Sequence, residues 1–359
     1  MSSIAKIFER VKSFDVAIFL TGSFLCYIPL SMFTKMAGRG LFASLGGVSV
    51  GTFEILPMYA VGDIVASLAF FYISGWWRLM NRRSFLGFSV PLPRWFTVVS
   101  GLCIVIQIFT VLWAYAHSGI SIVFAALLMK GGVLMIAPTV DLLIKKRKRK
   151  IYWPSWVAAS FSLIALIVAA SGSGSVITLV VAIDIFIYLI SYFIRLLIMS
   201  HWAKNDNPDD RKRFIVEEQI VIVILLSLIL GSMGIIGSYL PGENVLYEVY
   251  RGFVVLPGSG FILPPILIGL AAVGAGIFGT LVFLDKRENT FCVSAVHSMS
   301  VIAGTVATTL IAILYGENYP GINKFIAVAI IIAAIVFLSY RGAAQNDDIQ
   351  IAAEDGAEI

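Results

Sequence analysis

Ten stretches, each near the length of a membrane-crossing helix and almost free of charge, follow one another along the chain. A helix needs about 20 mostly apolar residues to cross the hydrocarbon core of a bilayer. Inside that core, backbone amides have no water to bond, so each segment must satisfy its own. The stretches lie near 14–35, 54–77, 95–116, 120–144, 154–171, 174–200, 215–238, 261–284, 291–315 and 320–341. No polar stretch between them is long enough to fold by itself. The 359 residues therefore predict an all-α integral membrane protein with ten transmembrane helices. With 59% apolar and only 13% charged residues, the chain has too few charges to cover a water-facing surface.

The placement of Lys and Arg sets an orientation. With the N-terminus in the cytoplasm, 20 of the 26 fall in inner segments, including the unbroken run Lys145 to Lys150. Lys35, Arg39 and Arg251 fall outside, and Lys130, Arg195 and Lys324 lie within the stretches. This bias predicts a multi-pass protein of the cell (inner) membrane with both termini cytoplasmic. Tryptophans agree: Trp76, Trp77, Trp95, Trp153, Trp156 and Trp202 sit at inner helix ends and Trp113 near an outer one, as an interfacial belt requires. Topology also accounts for the net charge of +5, so no nucleic-acid partner is expected.

Cys26, Cys103 and Cys292 read as small core residues. Neither a metal centre nor a cofactor is expected. Residues 1–16 read as a short cytoplasmic lead into a retained helix, because no small-residue cleavage site follows. The tail 342–359 is acidic, lacks aromatics and reads as disordered. Two long outer connections, 36–53 and 239–260, are either plain loops or covers over an outer vestibule.

Charges within the stretches carry the functional signal. Each costs roughly 2.5–3.5 kcal/mol at a helix centre, so it should face a cavity or a partner. Asp63, Lys130 and Asp184 each lie about ten residues below the outer end of their stretch, near the midplane where transporters hold substrate and coupling ions. Arg195 shares a helix face with Asp184 three turns on, roughly 16 Å away. His297 and Arg195 fall towards the cytoplasmic end, and Gln107 lines a cavity or bridges helices. A substrate or coupling-ion path through Asp63, Lys130, Asp184, Arg195, His297 and Gln107 competes with a plainer reading. In that reading Lys130 forms a structural ion pair with Asp63 or Asp184. Glu217, Glu218 and Gln219 read as a solvated helix start. Asp206 to Asp210 read as a solvated loop. Gly131 and Gly132 beside Lys130 fit close helix packing or a moving, substrate-lining helix. No Walker A, HExxH or GxSxG sequence occurs, so no enzyme is expected.

Two helix pairs carry a resemblance. One is SGISIVFAALLMKGGVLMIAP, a basic turn, then WPSWVAASFSLIALIVAAS. The other is FCVSAVHSMSVIAGTVATTLIAILYGENYPGINKFIAVAIIIAAIVFLSY. Both resemble the closing helix pair of a repeat in the drug/metabolite transporter superfamily (EamA-like ten-helix transporters). Gly316–Glu317 matches the turn between the pair's helices, and Pro138 falls where many members carry a proline. The basic run after the fourth stretch departs from that pattern. The resemblance implies two five-helix inverted repeats, 1–172 and 173–341, around a central cavity that opens alternately to each side. It implies a secondary transporter of a small polar or amphipathic metabolite, with proton or ion coupling and membrane lipid around it. A homodimer is compatible with this. Two other readings stand beside it: a lipid or lipid-linked sugar translocase on the same scaffold, and a non-transporting membrane receptor or assembly partner.

Overall fold

The computed structural model describes residues 16–85, 88–116, 122–144, 153–170, 178–204 and 207–334. The N-terminal lead up to residue 15, the basic run 145–150, the SGSGS break at 171–175 and the tail 342–359 lie outside the described residues. Among the described residues eleven α-helices follow in order: α1 (Val16–Gly38), α2 (Thr52–Ser74), α3 (Trp95–Ala116), α4 (Ile122–Leu143), α5 (Trp153–Ala170), α6 (Leu179–Ile198), α7 (Pro208–Ser238), α8 (Val245–Gly258), α9 (Leu263–Phe283), α10 (Asn289–Tyr315) and α11 (Ile322–Ala334). Among the described residues, seven of these are long and apolar enough to cross a bilayer, namely α1, α2, α3, α6, α7, α9 and α10. Within the described residues, α5 and α11 are apolar but shorter. This is the pattern of a multi-pass membrane protein.

Helix α6 shows how the sequence dictates the arrangement. Leu179, Ile183, Phe186, Ile187 and Ile190 recur at helical spacing and are exposed. The opposite face carries Asp184, Tyr188, Ser191, Tyr192 and Arg195, all buried. A water-soluble helix would be turned the other way. In hydrocarbon, apolar side chains face the solvent and polar ones must find partners inside.

Helix ends follow their caps. Thr178 accepts from Val181 N at 3.4 Å and starts α6 at Leu179, five residues later than hydropathy predicts. Asn207 accepts from Asp209 N at 3.0 Å with Pro208 in the first turn, so α7 starts seven residues earlier than predicted. Asp209 and Asp210 therefore belong to the first turn of a helix and not to a loop. At 31 residues α7 is about 46 Å long, which exceeds a bilayer core. Gly316, at φ 67°, ends α10 in the left-handed conformation, and Glu317 beyond it pairs with Arg39 at 2.9 Å.

Two features add to the predicted helices. Arg82–Phe85 (β1) and Phe88–Pro91 (β2) pair as a short antiparallel hairpin between α2 and α3. The connection 239–260 is largely the helix α8, which packs on α2 and α7 through Val249, Gly252 and Leu256. The connection 36–53 holds a single 3-10 turn at Ala43–Leu45.

Helix α1 packs along α9 and α10, and α2 along α9 and α8. Helix α3 packs along α6 and α7, and α4 along α6 and α10. Helix α5 lies against α4 and α10, and α2 meets α7. Glycine permits the closest crossing. A Cβ at Gly62 would fall 2.1 Å from the Ile266 carbonyl oxygen, and one at Gly269 would fall 2.1 Å from that of Tyr59. The α2 and α9 backbones therefore touch beside Asp63. Gly131 and Gly132 serve packing too, against Leu163 of α5 and Leu189 of α6.

Candidate functional site

The polar interior divides into two tied networks and one more open group. The first network ties α3, α6, α7 and α9. Arg195 is 4% exposed. Its Nε donates to Glu218 Oε1 at 3.1 Å, and its Nη2 donates to Glu218 Oε2 and to Thr280 Oγ1, each at 3.0 Å. Ser100 Oγ donates to the same carboxylate, and the Phe283 ring lies 5.8 Å from the guanidinium. Glu217, fully buried, accepts through Oε2 from Arg94 Nε at 2.9 Å and from Thr97 Oγ1 at 3.0 Å, while its Oε1 is buried and unpartnered among the described residues. The expectation of a solvated Glu217–Glu218 is thus overturned. The helix begins nine residues before Glu217, which turns both carboxylates into the bundle. Arg195, expected on a path, is held by both oxygens of Glu218.

The second network surrounds the start of α10. Asp141 Oδ1 accepts from Asn289 N at 2.9 Å and Asn289 Nδ2 at 2.8 Å. Its Oδ2 accepts from Thr290 N at 2.8 Å and Thr290 Oγ1 at 2.9 Å. One carboxylate of α4 thereby caps another helix, where free amides and the helix dipole favour negative charge. Lys204 is 1% exposed and donates to Asn289 Oδ1 at 2.8 Å and to the Arg287 carbonyl at 3.0 Å. Ser155 of α5 donates to Glu288 Oε1 at 2.5 Å.

The open group gathers polar side chains outside these two networks. Lys130 Nζ donates to Ser300 Oγ of α10 at 3.0 Å. Among the described residues no carboxylate lies within 4 Å of it, so the structural pair with Asp63 or Asp184 does not form. His297 lies one turn from Ser300, within reach of the Lys130 charge. Its Nε2 is buried without a partner among the described residues, and its ring centre is 6.0 Å from that of Tyr192. Asp63, 5% exposed, accepts from Gln219 Nε2 at 3.1 Å through Oδ1, while its Oδ2 is buried and unpartnered among the described residues. Gln219 also donates to Ser67 Oγ at 3.1 Å. Asp184 Oδ2 and Gln107 Nε2 are likewise buried and unpartnered among the described residues.

Asp63 is eleven residues into α2 and Asp184 five into α6, whose start at Thr178 is later than hydropathy predicts. The structure brings His297 to Lys130, and Gln219 to Asp63.

Sequence reasoning missed Asp141, Lys204, Glu288 and Lys35 as inward-facing groups. Asp141 carries the same signal as Asp63, an acid inside an apolar stretch. Lys204 and Glu288 sit among loop charges, and only the fold shows them buried.

No protein-family model matches the chain, and no curated protein matches its sequence. Solved structures do match in fold, 27 chains in all. One, described only as "Crystal structure of protein", is 11% identical with a TM-score of 0.57, over 92% of this chain and 98% of that one. The chain therefore shares a fold with proteins already solved, and at that identity the likeness is one of fold alone.

Proposed function

We propose that the protein is a secondary-active transporter that moves a small polar or amphipathic metabolite across the cell (inner) membrane by alternating access. In this reading ten helices cross the membrane as two inverted repeats of the drug/metabolite transporter type, with both termini cytoplasmic. The exchange of partners between halves supports it. Helix α1 packs on α9 and α10 as α6 packs on α3 and α4, and α2 packs on α9 as α7 packs on α3. Helices α4 and α10 meet each other, and so do α2 and α7. Swapping the halves returns each of these contacts, while α5 and α8 stand outside the exchange.

One observation carries the function. Lys130 is a cation inside the bundle whose described partner is a serine hydroxyl, beside a histidine with a free nitrogen among the described residues. A purely structural charge at that depth would be paired, as Arg195 is. The test is uptake of labelled metabolites by proteoliposomes, using candidates chosen by comparing metabolites of cells with and without the protein. Lys130→Ala and Asp184→Asn should abolish uptake while the protein stays folded. Unchanged uptake in both variants rejects the assignment.

A second reading, a lipid translocase, has its own observation. An open apolar groove of about 560 Å³ lies between α3, α4 and α6, lined by Trp95, Val99, Leu143, Ile194, Ile198 and Trp202. Movement of a labelled phospholipid between leaflets would favour it over the metabolite reading.

A further inference from the structure

Helix α10 carries a stripe of neutral oxygens on one face. Ser300, Gly304 and Thr308 are spaced four residues apart, so they stack along the helix about 6 Å from one to the next. Two lysines from different helices reach this stripe. Lys130 of α4 donates to Ser300 Oγ at 3.0 Å. Lys35 of α1 donates to the Gly304 carbonyl at 3.2 Å and to Thr308 Oγ1. Two more cations, Lys324 of α11 and Arg39 beyond α1, act electrostatically on Lys35, as Lys130 itself does. Four positive groups from separate elements thus converge on the outer half of one helix.

Of the four, Arg39 alone has a carboxylate beside it among the described residues. Lys35, Lys130 and Lys324 have none within 4 Å among those residues. Two acids in the region are already paired, Glu317 with Arg39 at 2.9 Å and Glu54 with Arg251 at 3.2 Å, and neither Asp63 nor Asp184 comes within 4 Å of a lysine among the described residues. Cations placed together in a low-dielectric setting repel one another, and hydroxyl and carbonyl partners ease that only in part. Such an arrangement is stable when an anion completes it. Two ammonium groups separated by one to two turns suit a carboxylate or phosphate, which accepts from several donors at once.

We infer that the Ser300–Gly304–Thr308 face of α10, with Lys130 and Lys35, is a binding site for a small carboxylate or phosphate anion that arrives from the side of Arg39 and Lys324. The inference rests on the transporter reading for the purpose of the site, but its anion specificity is tested by binding alone. Arg39 and Lys324 concentrate the anion at the mouth. Lys35 and Lys130 receive it in succession, each exchanging a neutral oxygen for a charged one.

The experiment is thermal unfolding of the detergent-purified full chain with succinate, glycerol 3-phosphate or inorganic phosphate, against succinamide, glycerol and choline at equal ionic strength. At least one anion should raise the unfolding midpoint, and none of the neutral or cationic analogues should. Lys130→Gln and Lys35→Gln should weaken the half-maximal concentration about tenfold or more. Lys130→Arg should retain most of the response, and Lys212→Gln, on the surface, should retain all of it. Intrinsic fluorescence checks that each variant is folded. Stabilisation by neutral or cationic analogues, by none of the probes, or undiminished in both Gln variants overturns the inference. Proteoliposome flux separates the two claims. Anion binding without flux leaves this site standing and sinks the transporter reading. Flux of a neutral or cationic solute without anion binding does the reverse.

Discussion

The junction of α3, α6 and α7 around Arg195 and the junction of α4 and α10 around Lys130 hold the same kinds of residue and treat them in opposite ways. Around Arg195, Nε and Nη2 donate to both oxygens of Glu218 and to the Thr280 hydroxyl. Around Lys130 a full charge meets a single hydroxyl, and the nearby histidine nitrogen meets nothing among the described residues. Arg195 is buried whereas Lys130 is half-buried. They differ also in how completely their charges are met. A satisfied buried charge holds helices in place, whereas an unsatisfied one is a standing cost that a folded protein retains for use.

Four substitutions probe this contrast, and the first should do the most damage. Glu218→Leu leaves Arg195 buried without its partner and should cost about 3–5 kcal/mol. Denaturation of the purified protein reads that loss, and adding Arg195→Met should restore most of it. If the single variant unfolds like the parent, the network is not structural. Asp141→Ala removes the cap from α10 and should cost about 1–2 kcal/mol. Hydrogen exchange should rise first at residues 289–292, and a uniform rise along α10 would count against a local cap.

Lys130→Met tests the other side of the comparison. Removing an incompletely satisfied charge should leave stability unchanged or raise it, while uptake is lost. A fall comparable to that of Glu218→Leu would show that Lys130 is paired after all. The mildest change concerns Glu248 on α8. Burial pushes its carboxyl above the usual glutamate value, and the Glu54 charge adds to this, while the Phe53 amide and Arg251 oppose it. A folded value above the unfolded one means that the folded state holds the proton more tightly. Stability should therefore fall slightly as pH rises from the ordinary glutamate value through the raised one. Glu248→Gln should flatten that slope in a series of melts across the window.

Helix positions were legible because hydrocarbon enforces one rule along the whole chain, and runs such as 95–116 and 261–284 obey it plainly. Helix ends were less legible. They depend on single caps such as Thr178 and Asn207, which a hydropathy window averages away. Lys130 and His297 were visible as polar groups in apolar surroundings, but their adjacency was not, because 167 residues separate them. The partner of Arg195 was hidden for a different reason. Glu218 lies close to the apparent start of its apolar stretch, where an acid is ordinarily wet. Helix α8 escaped notice because its fourteen residues are too few to span and its Pro257 and glycines read as loop.

The contact of Gly62 with Ile266 and of Gly269 with Tyr59 bears on what can move. Two backbones that meet without side chains between them have no compressible layer, so α2 and α9 cannot slide past each other without collision. Any opening motion that keeps this contact must carry α2 and α9 as a single piece, with α1 and α8 packed on that piece. The piece takes helices from both ends of the chain. The parts that turn against each other would then be assembled across the sequence, and a cut at its midpoint would run through a moving body. Spin labels on α2 and α9 should keep one separation in every state, and two populated distances would show that the joint opens.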